Sequence, residues 1–341
     1  MIFLKHIVMV LQMIIRLMFF LVFIFRVGYG YAQPQDLTLS CSKDNNETVI
    51  NEKLTLENVR LHLTNGKCIF KQEIEIGSDV LIIGAGEDKT FIVDGREDSN
   101  PDSLITNKNF DEAENLTIQN LSLQGNVAVL GFSEHVHLIE LFGASNVDIH
   151  HVKLGGFRGD GIYLGFHGKH NKNISISDAT FDGITKNNRN AISIIDGTNI
   201  KITSNQFYNT TRRDMPGAID IEPNRNKEHV VKRITISNNI FSNIGGKAAV
   251  VVSIKSKLSS VISDIFIYGN RIQNTNRGIF IRSQAFDIRT LTGWHYDIHD
   301  NSITNYKISK IYLCNISGLS DGYAVVAFNS DNLCWLDFMR K

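Results

Sequence analysis

The chain has 341 residues, and its 35 Lys and Arg are balanced by 35 Asp and Glu, so the formal net charge is zero. This balance argues against a nucleic-acid-binding protein, whose affinity depends on an excess of positive charge facing phosphates. There are only 4 prolines and no low-complexity tract, so nothing in the composition divides the chain with a linker.

The N-terminal segment, residues 1–25, is almost continuously apolar. Beyond Arg16 the apolar run is short and small residues follow as far as Ala32, a pattern that favours a secretory signal peptide over residues 1–32. We therefore expect a secreted or periplasmic protein with no membrane attachment after cleavage. The alternative is an uncleaved N-terminal anchor, since residues 1–25 taken together are long enough to span a bilayer.

The four cysteines lie in two pairs, one near each end of the chain: Cys41 and Cys68, then Cys314 and Cys334. In an exported protein this distribution predicts two local disulfides, Cys41–Cys68 and Cys314–Cys334. Their spacing resembles no zinc site, and the other interpretation is that they are small buried apolar residues.

A repeat of nine residues occupies the middle of the chain, from NLTIQNLSL at Asn115 to HYDIHDNSI at His295. Its fourth residue is always isoleucine, and the steps between successive copies are 31, 27, 26, 34, 31 and 31 residues. The isoleucines are Ile118, Ile149, Ile176, Ile202, Ile236, Ile267 and Ile298. Apolar and polar residues tend to alternate within each copy, which predicts short strands with one buried face.

A second strand precedes the nine-residue unit in each turn, and it begins at a small residue. These small residues are Gly161, Ala191, Ala218, Ala249 and Gly278, at steps of 30, 27, 31 and 29. Two registers advancing together predict a coil of stacked strands with about one turn per 30 residues. Asn205, Asn239, Asn270 and Asn301 share one position in successive units, so we expect them to hydrogen-bond along the stack and to take the left-handed conformation at a corner.

The repeat resembles that of right-handed parallel β-helix proteins of the pectate-lyase-like superfamily. RNAISIIDGTN from Arg189 and GAIDIEPN from Gly217 are similar to a segment of bacterial β-helix proteins thought to act on glycans. The resemblance implies an all-β, single-stranded right-handed parallel β-helix over residues 33–310, including an N-terminal cap, with a C-terminal cap at 311–341. The Gly-His-Gly and Arg-Ile-Lys motifs of the polygalacturonases are missing, so no catalytic residue is transferred from them.

The stacked register predicts a column of outward residues on the second strand: Tyr163, Ser193, Asp220, Val251 and Phe280. The next column includes Glu222 and Arg282, and the one after includes His167 and Lys255. Asp220 and Glu222 are thus expected side by side on an exposed sheet, roughly 7 Å apart. His135 and His137 share one face of a neighbouring stretch, and we interpret them as structural.

Two carboxylates on one strand suit acid–base glycoside hydrolysis, or Ca²⁺ ligation that neutralises a uronate while Arg, Lys or Tyr removes a proton. They are equally consistent with solvated surface acids. The predicted catalytic residues are Asp220, Glu222, Arg189 and Lys255, with Asp220 and Glu222 as tentative calcium ligands. The predicted substrate-binding residues are Asp160, Tyr163, His167, Asn190 and Arg282.

The predicted function is a lyase or glycoside hydrolase acting on a polysaccharide, with an acidic glycan as the expected substrate. The alternatives are a non-catalytic glycan-binding surface protein and a polysaccharide epimerase. No cofactor other than Ca²⁺ is indicated. The protein is expected to be a monomer or a trimer, and no long heptad pattern enforces a trimer.

Overall fold

The computed structural model describes residues 33–41, 47–56, 58–97, 103–107, 109, 113–223, 228–254, 261–283, 295–314 and 325–328. The chain divides into two units, Met1–Gln35 and Asp36–Lys341, and the repeat lies in the second. The predicted signal peptide or anchor, residues 1–32, falls outside the described residues. Within the described ranges, no helix is long enough and apolar enough to cross a membrane.

The described residues form 25 strands and two short helices, Glu47–Leu54 and Val127–Leu130. In chain order the strands are β1 (Gln35–Leu39), β2 (Val59–Leu63), β3 (Gly66–Phe70), β4 (Ile74–Ile76), β5 (Val80–Ile83), β6 (Thr90–Asp94), β7 (Ile105–Asn107), β8 (Ala113–Gln124), β9 (Ile139–Phe142), β10 (Ala144–Gly155), β11 (Ile162–Gly165), β12 (Lys172–Ser177), β13 (Thr180–Asp182), β14 (Ile192–Ile194), β15 (Gly197–Thr203), β16 (Gln206–Tyr208), β17 (Gly217–Ile221), β18 (Val230–Ser237), β19 (Ile240–Ser242), β20 (Ala248–Ile254), β21 (Val261–Tyr268), β22 (Arg271–Ser283), β23 (His295–His299), β24 (Ser302–Cys314) and β25 (Val325–Phe328).

These strands stack into three parallel ladders, and the chain passes from one ladder to the next around each turn. The first ladder is β2-β5-β8-β10-β12-β15-β18-β21-β23-β25. The second is β3-β6-β8-β10-β13-β16-β19-β22-β24. The third is β4-β7-β9-β11-β14-β17-β20-β22-β24. The predicted parallel β-helix is confirmed.

Each nine-residue unit supplies strands to two ladders, where the sequence predicted one strand. The unit bends at a residue in the left-handed conformation, as at Ser204 (φ 60°), Asn238 (φ 56°) and Gly269 (φ 66°). Each of these residues comes directly before one of the repeated asparagines. The predicted left-handed conformation therefore belongs to the preceding residue, because the asparagine itself turns inward.

The repeated asparagines form a buried hydrogen-bonded stack, as predicted. Asn205 Nδ2 donates to Asn239 Oδ1 (3.1 Å), Asn239 to Asn270 (3.0 Å), and Asn270 to Asn301 (2.9 Å). Asn239 Nδ2 also donates to the Ile202 carbonyl at 2.9 Å. The stack thus satisfies backbone groups that the bend removes from the ladders.

The core lies inside the coil and is built from the repeated apolar positions. Ile176, Ile202 and Ile236 stand in register on the first ladder and are fully buried. On the second ladder the rings of Phe181 and Phe207 stack at 4.8 Å, and those of Phe207 and Phe241 at 4.6 Å. Burial of each such side chain contributes roughly 1.5–3 kcal/mol.

The first turns of the coil are closed by a disulfide and a helix. The predicted Cys41–Cys68 bond is present, with the two Cα atoms 4.5 Å apart. The helix Glu47–Leu54 buries Ile50 and Leu54 in the core. The predicted partner of Cys314, Cys334, lies outside the described residues, as does most of the predicted C-terminal cap.

Candidate functional site

The column of outward residues on the third ladder has the predicted register. Tyr163 pairs with Ser193, Ser193 with Asp220, Asp220 with Val251, and Val251 with Phe280. Asp220 lies on β17 and Glu222 follows directly after that strand. The stacking of the coil therefore fixes where both carboxyl groups sit.

The prediction that Asp220 is exposed is wrong. Asp220 is 0 % exposed, whereas Glu222 is half-buried and lines a pocket of about 200 Å³. The segments that lead into β9, β14, β17 and β20 bring Glu134, Arg189, Asp214 and Lys247 around this pocket. These loops cover the face of the ladder that a repeat-based prediction leaves open.

Asp220 is a buried acid without a donor. Among the described residues, no N–H or hydroxyl group donates to either of its carboxylate oxygens. Burial raises the pKa of Asp220 well above its ordinary value, and the negative charge of the neighbouring Glu222 raises it further. Arg189 opposes the shift. Asp220 therefore keeps its proton to a pH above that at which an ordinary aspartate ionises.

Arg189 provides a fixed positive charge beside this pair. Its Nη1 donates to Asp160 Oδ2 at 2.7 Å and to Ser193 Oγ at 3.3 Å, and its Nε lies 3.8 Å from Glu134 Oε1. Burial alone would lower its pKa, but the charges of Asp160 and Asp220 raise it above the ordinary value. Arg189 therefore carries a fixed positive charge at the wall of the pocket.

Arg189 is held by Asp160, and Asp160 is in turn bonded to His137. Asp160 is 0 % exposed, and its Oδ1 accepts the Asn190 N–H at 2.9 Å. The Asp160 N–H in turn donates to His137 Nδ1 at 2.9 Å. Burial, followed by the charge of Arg189, lowers the pKa of His137 to about 3, so its ring stays neutral. His137 is structural, as its position in the sequence indicated.

Tyr163 packs against this support. Its ring stacks on His137 at a centroid distance of 4.7 Å and an interplanar angle of 7°. Burial raises the pKa of Tyr163 to about 12, so its hydroxyl keeps the proton. One face of the ring predicted to stack on a sugar is thus occupied by a protein side chain.

The structure separates the other predicted site residues from the pocket. Asn190 is buried, where its Nδ2 donates to Ser193 Oγ at 2.9 Å. His167 is exposed on the loop between β11 and β12. Arg282 is half-buried one rung beyond Ser253, which lines the pocket. Lys255 lies outside the described residues.

Sequence reasoning missed three charged residues that line the pocket, Glu134, Asp214 and Lys247. All three lie in irregular segments outside the repeat, where periodicity carries no information. The one usable signal was position, since Lys247 directly precedes the small residues that open β20.

The residues present do not fit a calcium ion. Ca²⁺ takes six to eight oxygen ligands, whereas the Asp220 carboxyl group is fully buried and lies near the cation Arg189. Within the described ranges no group of three His, Cys, Asp or Glu side chains is arranged to hold a metal. The predicted calcium dependence gains no support from this donor set.

Comparison with known proteins relates the chain to others by fold. No protein-family model matches it, and none of the curated proteins matches it by sequence. Among solved structures it is similar to a hyperthermoactive exopolygalacturonase from Thermotoga maritima (TM-score 0.58, 14 % identity, 83 % of this chain and 77 % of that one). It is also similar to an alginate lyase from Paenibacillus sp. (TM-score 0.53, 14 % identity, 85 % and 99 %) and a family 28 exopolygalacturonase from Yersinia enterocolitica (TM-score 0.54, 13 % identity, 89 % and 70 %). At this identity the likeness establishes the fold, which is the right-handed parallel β-helix of pectate-lyase-like proteins.

Proposed function

We propose that this protein is a glycoside hydrolase acting on a polysaccharide. The observation that carries the proposal is the buried Asp220 carboxyl group, which has no donor and is close in sequence to Glu222, a carboxylate that lines a charged pocket. Perturbed carboxyl groups in a cleft are typical of acid–base sites. The solved structures of the same fold include enzymes that cut polysaccharides by hydrolysis and by elimination.

Glu222 is the carboxylate of the pair that faces the pocket, so it is the one that meets substrate. As a general base it takes a proton from a water molecule, whose oxygen attacks the anomeric carbon. Asp220 has no exposed surface, so it does not touch substrate and acts through its neighbour Glu222 as a positioning residue.

The acid that protonates the leaving oxygen must come from elsewhere in the lining. Acid and base in an inverting hydrolase stand roughly 6.5–9.5 Å apart and both reach the substrate, which the fully buried Asp220 cannot do. Glu134 and Asp214 line the same pocket, and their side chains are 54 % and 60 % exposed. The pocket volume equals that of several waters at roughly 30 Å³ each. We therefore expect Glu134 or Asp214 to be the acid, and hydrolysis to invert the anomeric configuration.

A second candidate function is β-elimination, and it is favoured by Lys247. In this case Arg189 would bind a uronate carboxylate, and Lys247 would remove the proton from C5. The C4=C5 double bond would form as the C4–O bond breaks, and the leaving oxygen would take a proton from water. No metal is needed for either step in this scheme. The two functions differ in their products, because elimination leaves an unsaturated sugar and hydrolysis does not.

The test is a screen of the full chain against neutral and acidic polysaccharides. Reducing ends and the ultraviolet absorbance of unsaturated uronates are followed together, with calcium and with a chelator. We expect reducing ends without absorbance, in both the calcium and the chelator arm, and a product whose anomeric configuration by NMR is inverted. Absorbance that disappears in Lys247→Met would establish elimination and overturn the hydrolase proposal.

Variants then identify the residues. Glu222→Gln should lower kcat by about 10²–10⁴-fold, the usual contribution of general acid–base catalysis. Glu75→Gln is the matched control, since Glu75 is an exposed carboxylate in the same column near the other end of the ladder. If Glu222→Gln turned over substrate as fast as Glu75→Gln, the proposed site would be wrong.

A further inference from the structure

A second concave surface lies beside the pocket, at the corner between the second and third ladders. It is a groove of about 760 Å³. Its polar lining includes Lys186, Arg213, Lys307, Asn243, Asn274 and Asn305. The loop that places Arg213 in the groove places Asp214 in the pocket, and the corner that places Gly245 in the groove places Lys247 in the pocket. The two surfaces are therefore neighbours, since consecutive parts of the same two loops line them.

The groove is built by a column of corner asparagines that repeats on successive rungs. Asn209, Asn243, Asn274 and Asn305 all take the left-handed conformation, with φ of 46°, 60°, 55° and 50°. Asn243 Nδ2 donates to Asn209 Oδ1 at 2.7 Å, which links neighbouring rungs. Rungs lie ~4.8 Å apart, so the four steps from Lys186 to Lys307 give the groove a length of about 19 Å. It follows the axis along which the strands stack.

The groove is positively charged. Lys186, Arg213 and Lys307 contribute three cations, and no Asp or Glu is among the described residues that line it. Lys186 is held in place, because its Nζ donates to Asn243 Oδ1 at 2.7 Å. Arg213 and Lys307 are exposed. Amide groups between the cations supply both donors and acceptors, the combination that sugar hydroxyl groups need.

We propose that this groove binds an anionic polysaccharide, whose carboxylate or sulfate groups meet Lys186, Arg213 and Lys307 while the chain continues into the pocket. This inference rests on the proposed function only for what happens to the polysaccharide after it binds. It adds the class of substrate. An elongated cationic groove with amides between its charges fits a polymer with repeated negative charges better than a single small anion. The polymer would lie along the rungs.

The test measures binding and turnover separately. Fluorescently labelled oligosaccharides of polygalacturonate (carboxylated), carrageenan (sulfated) and dextran (neutral) are titrated with the full chain at low and at high salt. The groove variant is Lys186→Gln/Arg213→Gln/Lys307→Gln. The control variant is Lys172→Gln/Lys201→Gln/Arg271→Gln, which removes the same charge from exposed positions on the first and second ladders. Circular dichroism confirms that both variants are folded.

We expect the wild type and the control to bind one of the anionic probes and not dextran. The groove variant should bind it about tenfold more weakly at low salt, since each exposed ion pair contributes roughly 1.5- to 5-fold. The difference should shrink at high salt because of screening. The probe that binds more tightly shows whether the groove prefers carboxylate or sulfate groups.

The inference is overturned if the wild type binds neither anionic probe, if it binds dextran equally well, or if the control variant weakens binding as much as the groove variant. Groove-dependent binding without any product would leave this inference standing and refute the proposed hydrolase. Turnover of a neutral polysaccharide at a rate that the groove variant does not change would support the proposed hydrolase and refute this inference.

Discussion

The buried Asp220 carboxyl group predicts a dependence of stability on pH that Asp220→Asn removes. In the folded protein burial and the neighbouring Glu222 raise the Asp220 pKa well above its ordinary value of 3.8. In the unfolded chain the same group is solvated and loses its proton near that ordinary value. Asparagine keeps nearly the same shape and cannot ionise, so it isolates the titration.

The sign of the effect follows from this raised pKa. As the pH rises above 3.8, the unfolded chain releases the Asp220 proton first, so the folded state progressively loses stability until the pH passes the folded-state pKa. The protonated carboxyl group thus makes its full contribution to the free energy of unfolding below pH 3.8, and this contribution is lost as the pH rises from 3.8 through the folded-state pKa. For one proton the slope is at most about 1.4 kcal/mol per pH unit. The free energy of unfolding of Asp220→Asn should therefore increase relative to that of the wild type as the pH increases.

Urea unfolding at a series of pH values gives the difference in unfolding free energy between the two proteins. We expect it to be constant below about pH 4 and to rise above that until the pH passes the folded-state pKa of Asp220. Glu222→Gln should shorten the range of the rise, because it removes the second largest cause of the pKa shift. Asp148→Asn, at a side chain that is 51 % exposed, is the control. A difference that does not change between pH 4 and pH 8 would show that Asp220 is ionised and solvated like a surface acid.

Asn239→Ala should lower the free energy of unfolding by on the order of 3 kcal/mol, because it leaves the buried Asn205 N–H and a carbonyl without partners. Urea unfolding checks this against Asn173→Gly, which removes an exposed link of an outer asparagine stack at a left-handed residue and should cost less than about 1 kcal/mol. Asp160→Asn should raise KM by releasing Arg189. In a double-mutant cycle, Asp160→Asn should have no further effect once Arg189→Gln is in place, and additive effects would mean that the two residues act independently.

The fold was predictable because its stabilising contacts repeat with the turn. A stacked rung buries the same type of side chain at the same position, so the isoleucines and Phe181, Phe207 and Phe241 appear in the sequence as columns before any contact is known. The bend within each unit was not predictable from that pattern. It depends on one left-handed residue, and at that position Ser204, Asn238 and Gly269 have no side-chain type in common.

The strand register of the candidate site was predictable from the sequence, but the burial of its side chains was not. Strand pairing alone places Tyr163, Ser193 and Asp220 next to one another, and the repeat fixes that pairing. Whether the column is open or covered depends on loops that differ from turn to turn. Glu134 and Lys247 reach the pocket from two such loops. For the same reason Asp160, predicted to contact substrate, is a buried support for Arg189.

The column itself shows that the fold does not require a carboxyl group at Asp220. One rung further along, the same position holds Val251, which is 1 % exposed, so the ladder accepts an apolar side chain there without losing its register. A buried carboxyl group without a donor costs stability that valine would not. Ser193, on the other neighbouring rung, has a partner in Asn190. Asp220 is thus the position in this part of the column that costs stability without a structural gain, as the proposed role of the pocket beside it would require.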